Sequence, residues 1–464
     1  MKRIFPVLLL SLIAFPAGMA RPALGADSLS IETEYRLKSI NFSNLDYNSA
    51  TSSDTLNYYE QRVRISIGGK FSPGVEIGSR ITAMEIQGAA TNFFNAPYPR
   101  TDFTPFVENA YVKLSGIADS EMDLTVGKVP LEFGDGLIIA DNGIGFNVIE
   151  LDGSLQIPIP YVSWAPGKRF KYGSIKLPSK FRAFMSKISE SVHEDTDNDI
   201  FGGSAAMEIS RHEVEIGYFD SRDYSHTPYT RGTVSVPVIS ILKQFYDLRI
   251  SRRLEYGSYS FEYARQNGFM RKPDLNTIMF NGTGMVMKGT LLRENTKLGK
   301  IEARALCAAF SGSESIGTLT DEETAFTPDH TKRWDGFKKG VYGELFGATP
   351  FDSFAALNPE YSGINTLNLG VSVMPLDMWT LSADHFWFSA SRGAAGKDTT
   401  WIEQRFGGRY SLGNELDLAA KLTLNKYASL KLSYGRYIPP ASEDFWQPYQ
   451  DPVDRYAFEM TAKF

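Results

Sequence analysis

Several features that exported proteins and enzymes depend on are missing from this chain. Cys307 is the only cysteine among 464 residues, so no disulfide can form within the chain and the stapled folds of small secreted domains are excluded. The five histidines, His193, His212, His226, His330 and His385, show no zinc-ligand spacing, and there is no Gly-x-Ser-x-Gly turn or Cys–His pairing. Catalysis needs a nucleophile, a base and its orienter held together; an enzyme is not expected. No cofactor is expected either, since the Cys-x-x-Cys-His of attached haem is absent. From residue 27 onward no uncharged apolar run reaches the roughly 18 residues that a spanning helix needs. A basic surplus is lacking as well, which argues against a nucleic-acid partner.

What is present begins with a leader. Lys2 and Arg3 precede an apolar stretch from Ile4 to Ala14, and small residues around Ala23–Ala26 offer a cleavage site. This is the pattern of a secretory signal peptide, assigned to residues 1–26. Its removal takes Lys+Arg from 48 to 45 against 54 Asp+Glu, a net charge of −9.

The remainder alternates. In Asp454–Phe464 one parity holds Tyr456, Phe458, Met460, Ala462 and Phe464, and the other holds Arg455, Glu459, Thr461 and Lys463. Leu416, Leu418, Ala420 and Leu422 likewise oppose Glu415, Asp417 and Lys421, and Leu367, Leu369 and Val371 oppose Asn368 and Ser372. Side chains on a strand change faces at every residue, so each segment has one apolar and one polar face. Segments of roughly 9 to 11 residues with this pattern, joined by alternately short and long connections, are those of a transmembrane barrel. The expected fold is all-β: an up-and-down antiparallel barrel of eighteen strands over residues 27–464, with short periplasmic turns and long external loops. Pro158–Leu177 is the exception, a long connection on the short side. One strand is expected at 235–252, and 131–143 is expected to be an external loop. The longest external loop is 313–363. Trp379, Phe386, Trp387, Phe388 and Tyr437 are expected in the interfacial belts. The last strand must pair with the first, because an open edge in hydrocarbon costs several kcal/mol per unpaired backbone group.

Two stretches carry a family resemblance. Leu124–Gly153, with Gly127-Lys128-Val129 closing a strand and Phe133-Gly134-Asp135-Gly136 forming a Gly-rich loop, resembles a stretch of the alginate-export porins. Leu412–Asp417 and Tyr434–Tyr437 resemble that family's C-terminal strands. The resemblance implies an outer-membrane channel that exports an acidic polysaccharide, and Phe464, Met460 and Phe458 resemble the closing signal read by the barrel-assembly machinery. The family-motif residues are then Gly127, Lys128, Gly134, Asp135 and Gly136. Lys128 stands where the family has Arg, on the face of Val126, so it either snorkels outward or is turned inward by a bulge.

Parity also names the bore. Arg62, Arg64, Glu76, Arg80, Lys113, Arg249, Arg304, Glu415, Asp417 and Lys431 are the candidate pore-lining residues. Their mixed signs fit opposed acidic and basic walls better than a purely anion-selective tube. Asp195, Asp197 and Asp199 have the alternate spacing of a calcium loop, but Ile200 stands where the sharp-turn Gly belongs and Ala206 where the bidentate Glu belongs, so no metal is expected. The expected partners are outer-membrane lipid, the barrel-assembly machinery and a polar solute or polysaccharide, with the chain a monomer in the bacterial outer membrane. The alternatives are a barrel sheathing a periplasmic electron-transfer partner and, last, an outer-membrane enzyme.

Overall fold

A computed structural model describes residues 26–44, 55–71, 74–87, 102–117, 120–141, 145–163, 171–189, 197–231, 234–312, 322–330, 343, 345, 363–391, 411–439 and 451–464. Residues 1–25 of the leader and Asp195 lie outside these. The strands are β1 (Ala26–Ser43), β2 (Leu56–Phe71), β3 (Val75–Gln87), β4 (Phe106–Ser115), β5 (Met122–Val129), β6 (Phe146–Ser163) and β7 (Lys171–Ser189). β8 (Asn198–Ile209), β9 (His212–Asp223), β10 (Tyr229–Arg231), β11 (Val234–Val236), β12 (Ser240–Leu254), β13 (Gly257–Arg271), β14 (Thr277–Thr296) and β15 (Gly299–Phe310) follow. The last are β16 (Glu322–Glu323), β17 (Ile364–Leu376), β18 (Trp379–Ala390), β19 (Ser411–Thr423), β20 (Ala428–Ile438) and β21 (Val453–Lys463).

Eighteen of these strands close an antiparallel barrel. β10 and β11 form a separate hairpin, and β16 runs parallel to β14 beyond the end of β15. Closure is made by β21 on β1, in register from Glu34 opposite Lys463 to Ser43 opposite Asp454. Thr33 and Phe464 exchange both backbone hydrogen bonds at 2.9 Å, so the last residue of the chain completes the ladder.

The alternation predicts the faces well. Leu29, Ile31, Ile67, Ile149, Leu369, Leu418, Leu432, Phe458 and Phe464 are exposed on the outer wall. Met460 shares the face of Phe458 by register.

Three expectations are corrected. Pro158–Leu177 is not a plain connection: β6 and β7 stay paired down to Ser163 opposite Lys171. The strand expected at 235–252 starts at Ser240, because Val234–Val236 pairs back on Tyr229–Arg231. The third concerns the belt. Trp379 and Trp387 are on the outer wall, but Phe386, Phe388 and Tyr437 are buried inside the barrel. Neighbours on a strand cannot share a face, so Phe386 and Phe388 must oppose Trp387.

An outward residue near mid-wall meets hydrocarbon. Phe458→Arg is therefore expected to cost about 2–4 kcal/mol, seen as loss of the compact, heat-modifiable form on gels. Glu459→Gln, one residue away on the bore side, should keep that form.

Candidate functional site in the barrel lumen

The inner wall has two tiers. Toward the long-loop ends the inward parity turns apolar: Ile40 and Phe42 on β1, Tyr58 on β2, Met84 and Ile86 on β3, Phe219 on β9, Phe245 on β12 and Phe310 on β15 are all buried. These side chains belong to one core that also takes in Leu131, Phe133, Leu137, Ile138 and Ile139 from the connection between β5 and β6. The segment expected outside as the loop 131–143 is therefore folded into the bore over its described residues. The cause is hydrophobic: a stretch reading Leu131 to Ala140 buries its apolar side chains, each worth about 1.5–3 kcal/mol, against an inward wall of the same character. Phe133 sits 5.2 Å from Phe184 and 5.1 Å from Phe219, ring centre to ring centre, and the Arg182 guanidinium lies 4.4 Å over its face.

At its tip the segment is pinned to β13 on the inner wall. Gly134 and Gly136 adopt positive φ, 57° and 83°, which turns the backbone so that its N–H groups face Glu262. Asp135 N donates to Glu262 Oε2 at 2.5 Å and Leu137 N to Glu262 Oε1 at 3.4 Å. A Cβ on Gly134 would lie 2.7 Å from Glu262 Oε1, so glycine is required there by contact as well as by φ. The Asp135 carboxylate accepts from Ser260 Oγ at 2.6 Å and Arg249 Nε at 3.3 Å, and Lys288 Nζ stands 3.4 Å away. Burial pushes this carboxyl up, but Lys288, Ser260 and Arg249 outweigh it and hold it below the usual carboxylate range. A lowered carboxyl stabilises fully above the ordinary value of about 4, and that stabilisation is lost only as pH falls through the lowered value.

A second segment meets the first. Residues 322–330 of the long connection 313–363 run onto the inner wall, where Phe326 packs on Phe310 and Phe245. Gln266 and Thr327 exchange two hydrogen bonds at 2.8 and 3.1 Å, and Lys243 reaches Thr327 O at 2.8 Å and Asp329 at 2.5 Å. Ala140 N donates to His330 O at 2.7 Å, joining the two segments. Further along, Leu345 N donates to the buried Glu415 at 2.8 Å on β19. The long connection thus reaches both the β12–β14 wall and β19.

Beneath this core lies the ionic tier, and all ten candidate pore-lining residues sit on inward register positions. Arg62 pairs with Glu34 at 2.8 Å, Arg64 and Arg80 converge on Glu108 at 2.8 and 3.3 Å, and Glu76 accepts from Tyr111 Oη at 3.3 Å. Lys113 bridges Asp123 and Asp152 at 2.8 and 3.6 Å. Arg249 joins Glu213 at 3.1 Å besides Asp135. Arg304 meets Asp384 at 3.0 Å and Glu302 at 3.2 Å. Glu415 and Asp417 are buried rather than open to the bore, and Lys431 stands opposite Glu459 in the ladder.

Glu108, Glu150, Arg182 and Asp384 were not singled out by the sequence. The trace of Glu108 is a break in alternation: Glu108 and Asn109 are consecutive polar residues, and a bulge between β3 and β4 leaves Glu108 without a register partner and turned inward. Of the family-motif residues, Gly127 has φ 129°, and a Cβ there would run into the Ala110 carbonyl. Lys128 takes the outer face, its ammonium donating to Val107 O at 2.9 Å. Gly134, Asp135 and Gly136 form the pinned tip. Asp197 is taken by Lys187 at 2.8 Å.

No protein-family model matches the chain, and no curated protein matches it. Solved structures do. OccK5 (OpdH) of Pseudomonas aeruginosa is 10% identical with a TM-score of 0.52, covering 95% of this chain and 99% of its own. OccK9 (OpdG) of the same organism is 9% identical with a TM-score of 0.51, at 95% and 99% coverage. OccK2 (OpdF), also of P. aeruginosa and solved in complex with glucuronate, is 9% identical with a TM-score of 0.50, again at 95% and 99%. At such identities the likeness is one of fold. That fold, a closed barrel with an apolar outer wall, belongs to the bacterial outer membrane.

A buried donor left without its acceptor costs about 1–3 kcal/mol, so Glu262→Ala, which strips two backbone N–H groups of theirs, should unpin the tip without opening the barrel. The expected result in planar bilayers is a higher and noisier single-channel conductance, with heat-modifiable mobility on gels unchanged. Glu213→Ala, at an exposed partner of Arg249, should leave conductance near the parent value.

Proposed function

We propose that the chain is a diffusion channel for small, charged, hydroxylated solutes, with the folded-in segment 131–140 as its constriction. The observation that carries this reading is the pinned tip hung over an ionic bore of both signs. Solute crossing the barrel meets a narrow polar passage between the Arg249–Asp135–Lys288 group and the walls carrying Arg64 and Arg304. Opposed charges in a low-dielectric bore orient a polar solute as it passes.

The resemblance to alginate-export porins implies a polyanion as cargo. Such a cargo would favour a continuous track of basic side chains free to meet it. Among the described residues, Arg62, Arg64, Arg80, Lys113, Arg249 and Arg304 each face a protein carboxylate instead, which favours a small solute that joins one ion pair at a time. Glucuronate, the ligand of one structural neighbour, has that size and chemistry and is a natural probe. The lipid of the outer membrane then surrounds the apolar wall, the barrel-assembly machinery reads the strand carrying Phe458, Met460 and Phe464, and the channel acts as a monomer.

Proteoliposomes test the reading. Osmotic swelling is expected in glucuronate and in neutral monosaccharides, with little in uronate oligomers; swelling in none of them would sink it. Arg304→Ala leaves Asp384 and Glu302 uncompensated, so the reversal potential in a salt gradient should move toward cation selectivity, by about twofold in permeability ratio.

A further inference from the structure

One element of the barrel is used by neither the pore nor the membrane. The other connections at the short-turn end span two to six residues, from 210–211 to 116–121. β6 and β7 behave differently. β5 leaves β6 at Gly153 and β8 leaves β7 at Ser179. The β6–β7 ladder then continues alone through eight further pairs, from Gln156 opposite Pro178 to Ser163 opposite Lys171. At about 3.3 Å per residue, this two-stranded ribbon projects about 25 Å beyond its neighbours, and short turns mark the periplasmic side.

Its two edges are not equivalent. Proline is tolerated in a ladder only where its missing N–H would face away from the partner strand. Pro158 and Pro160 therefore lie at positions that face the outer edge of β6, which lacks a donor at both and keeps only those of Gln156 and Val162. In an antiparallel pair the residues directly opposite share that orientation. Lys176 is opposite Pro158 and Ser174 is opposite Pro160, so their N–H and C=O groups face the outer edge of β7, as do those of Tyr172 two residues on. The outer edge of β6 is blunted by two prolines; that of β7 has one, Pro178, at the base of the ribbon, and is an open template from Lys176 to Tyr172. A lone two-stranded ribbon in water is marginal, and an open edge is the usual place for a further strand to pair.

Charge selects what pairs there. From Gly153 to Ser189 the sequence has no Asp or Glu, and β7 brings Lys171 and Lys176 to the ribbon, in a chain whose net charge is −6. A second copy would bring like charge against like. We propose that the outer edge of β7, Lys171–Leu177, is a docking strand for an acidic periplasmic polypeptide, which pairs along it as a third strand. Phospholipid headgroups would meet the same charges, but only a polypeptide can also take up the backbone groups of the open edge.

The test uses the full chain in its native cells. A photo-reactive phenylalanine analogue is placed at Tyr172, on the open edge, or at Ile159, on the blunted strand. Illumination is expected to give one discrete protein adduct from position 172 and none from 159. That adduct should disappear with Ser174→Pro, which removes a donor from the edge, and fall about tenfold with Lys171→Glu/Lys176→Glu. Heat-modifiable mobility reports that each barrel is folded, and the charge reversal carries the test if the proline variant is not. The proposal is overturned by no adduct, by equal adducts at both positions, by an adduct indifferent to charge reversal, or by an adduct with phospholipid in place of protein.

Discussion

Backbone hydrogen bonding in a medium without water is the constraint from which the rest follows. In hydrocarbon each unpaired N–H or C=O costs several kcal/mol, so a sheet can cross the bilayer only when its first and last strands meet. Here they meet through the final residue, where Thr33 and Phe464 exchange backbone hydrogen bonds. Once closure is imposed, every strand has an outside and an inside, and alternation assigns each side chain to lipid or bore. The same constraint lapses below the membrane, and there β6 and β7 run on as a ribbon with unpaired edges.

Inside the barrel a second problem arises, because a wide cylinder of inward side chains is not a core. The chain solves it differently along its axis. Near the long-loop end the inward residues are apolar, and returning segments complete a hydrophobic interior with Phe133, Phe219, Phe245, Phe310 and Phe326 at its centre. Nearer the short turns the inward residues are ionic and satisfy one another across strands, as Arg62 does with Glu34 and Arg304 with Asp384. Glu262 joins the tiers: it is almost fully buried on β13, yet its carboxylate is spent on backbone N–H groups of the segment above.

Period two made the strands and their faces readable, since one face meets lipid and tolerates little polarity. Arg62, Arg80, Lys113 and Arg304 fall on inward positions for that reason alone. Reading stopped where a side chain's partner comes from another part of the chain. The stretch 131–143 reads as an external loop because it lies between two strands on the long-loop side. Its content, with Leu137, Ile138 and Ile139 in succession, is too apolar for a loop in water and is the trace of burial. For Phe386 and Phe388 residue type points to the membrane belt, while parity against Trp387 points to the interior, and parity is the better guide. Glu108 was hidden by a bulge, which breaks the rule that revealed the others.

The pairing of bore charges has a consequence for what can pass. A lumen of free arginines attracts any polyanion, and its field adds along the polymer. In this bore Arg62, Arg64, Arg80, Lys113, Arg249 and Arg304 each already face a carboxylate, so an anion entering there must share or displace a partner at each of them. On the proposed reading, one carboxyl group on a small sugar does this once, and the fixed ion pair reforms behind it. A polymer would have to do so at many sites at once while also threading past a segment held at Glu262 and tied to His330. The cost grows with the number of contacts while the attraction at each stays that of a half-neutralised pair. On the proposed reading, selectivity then lies in the size and charge placement of single molecules, set by the pinned segment and the ion pairs below it.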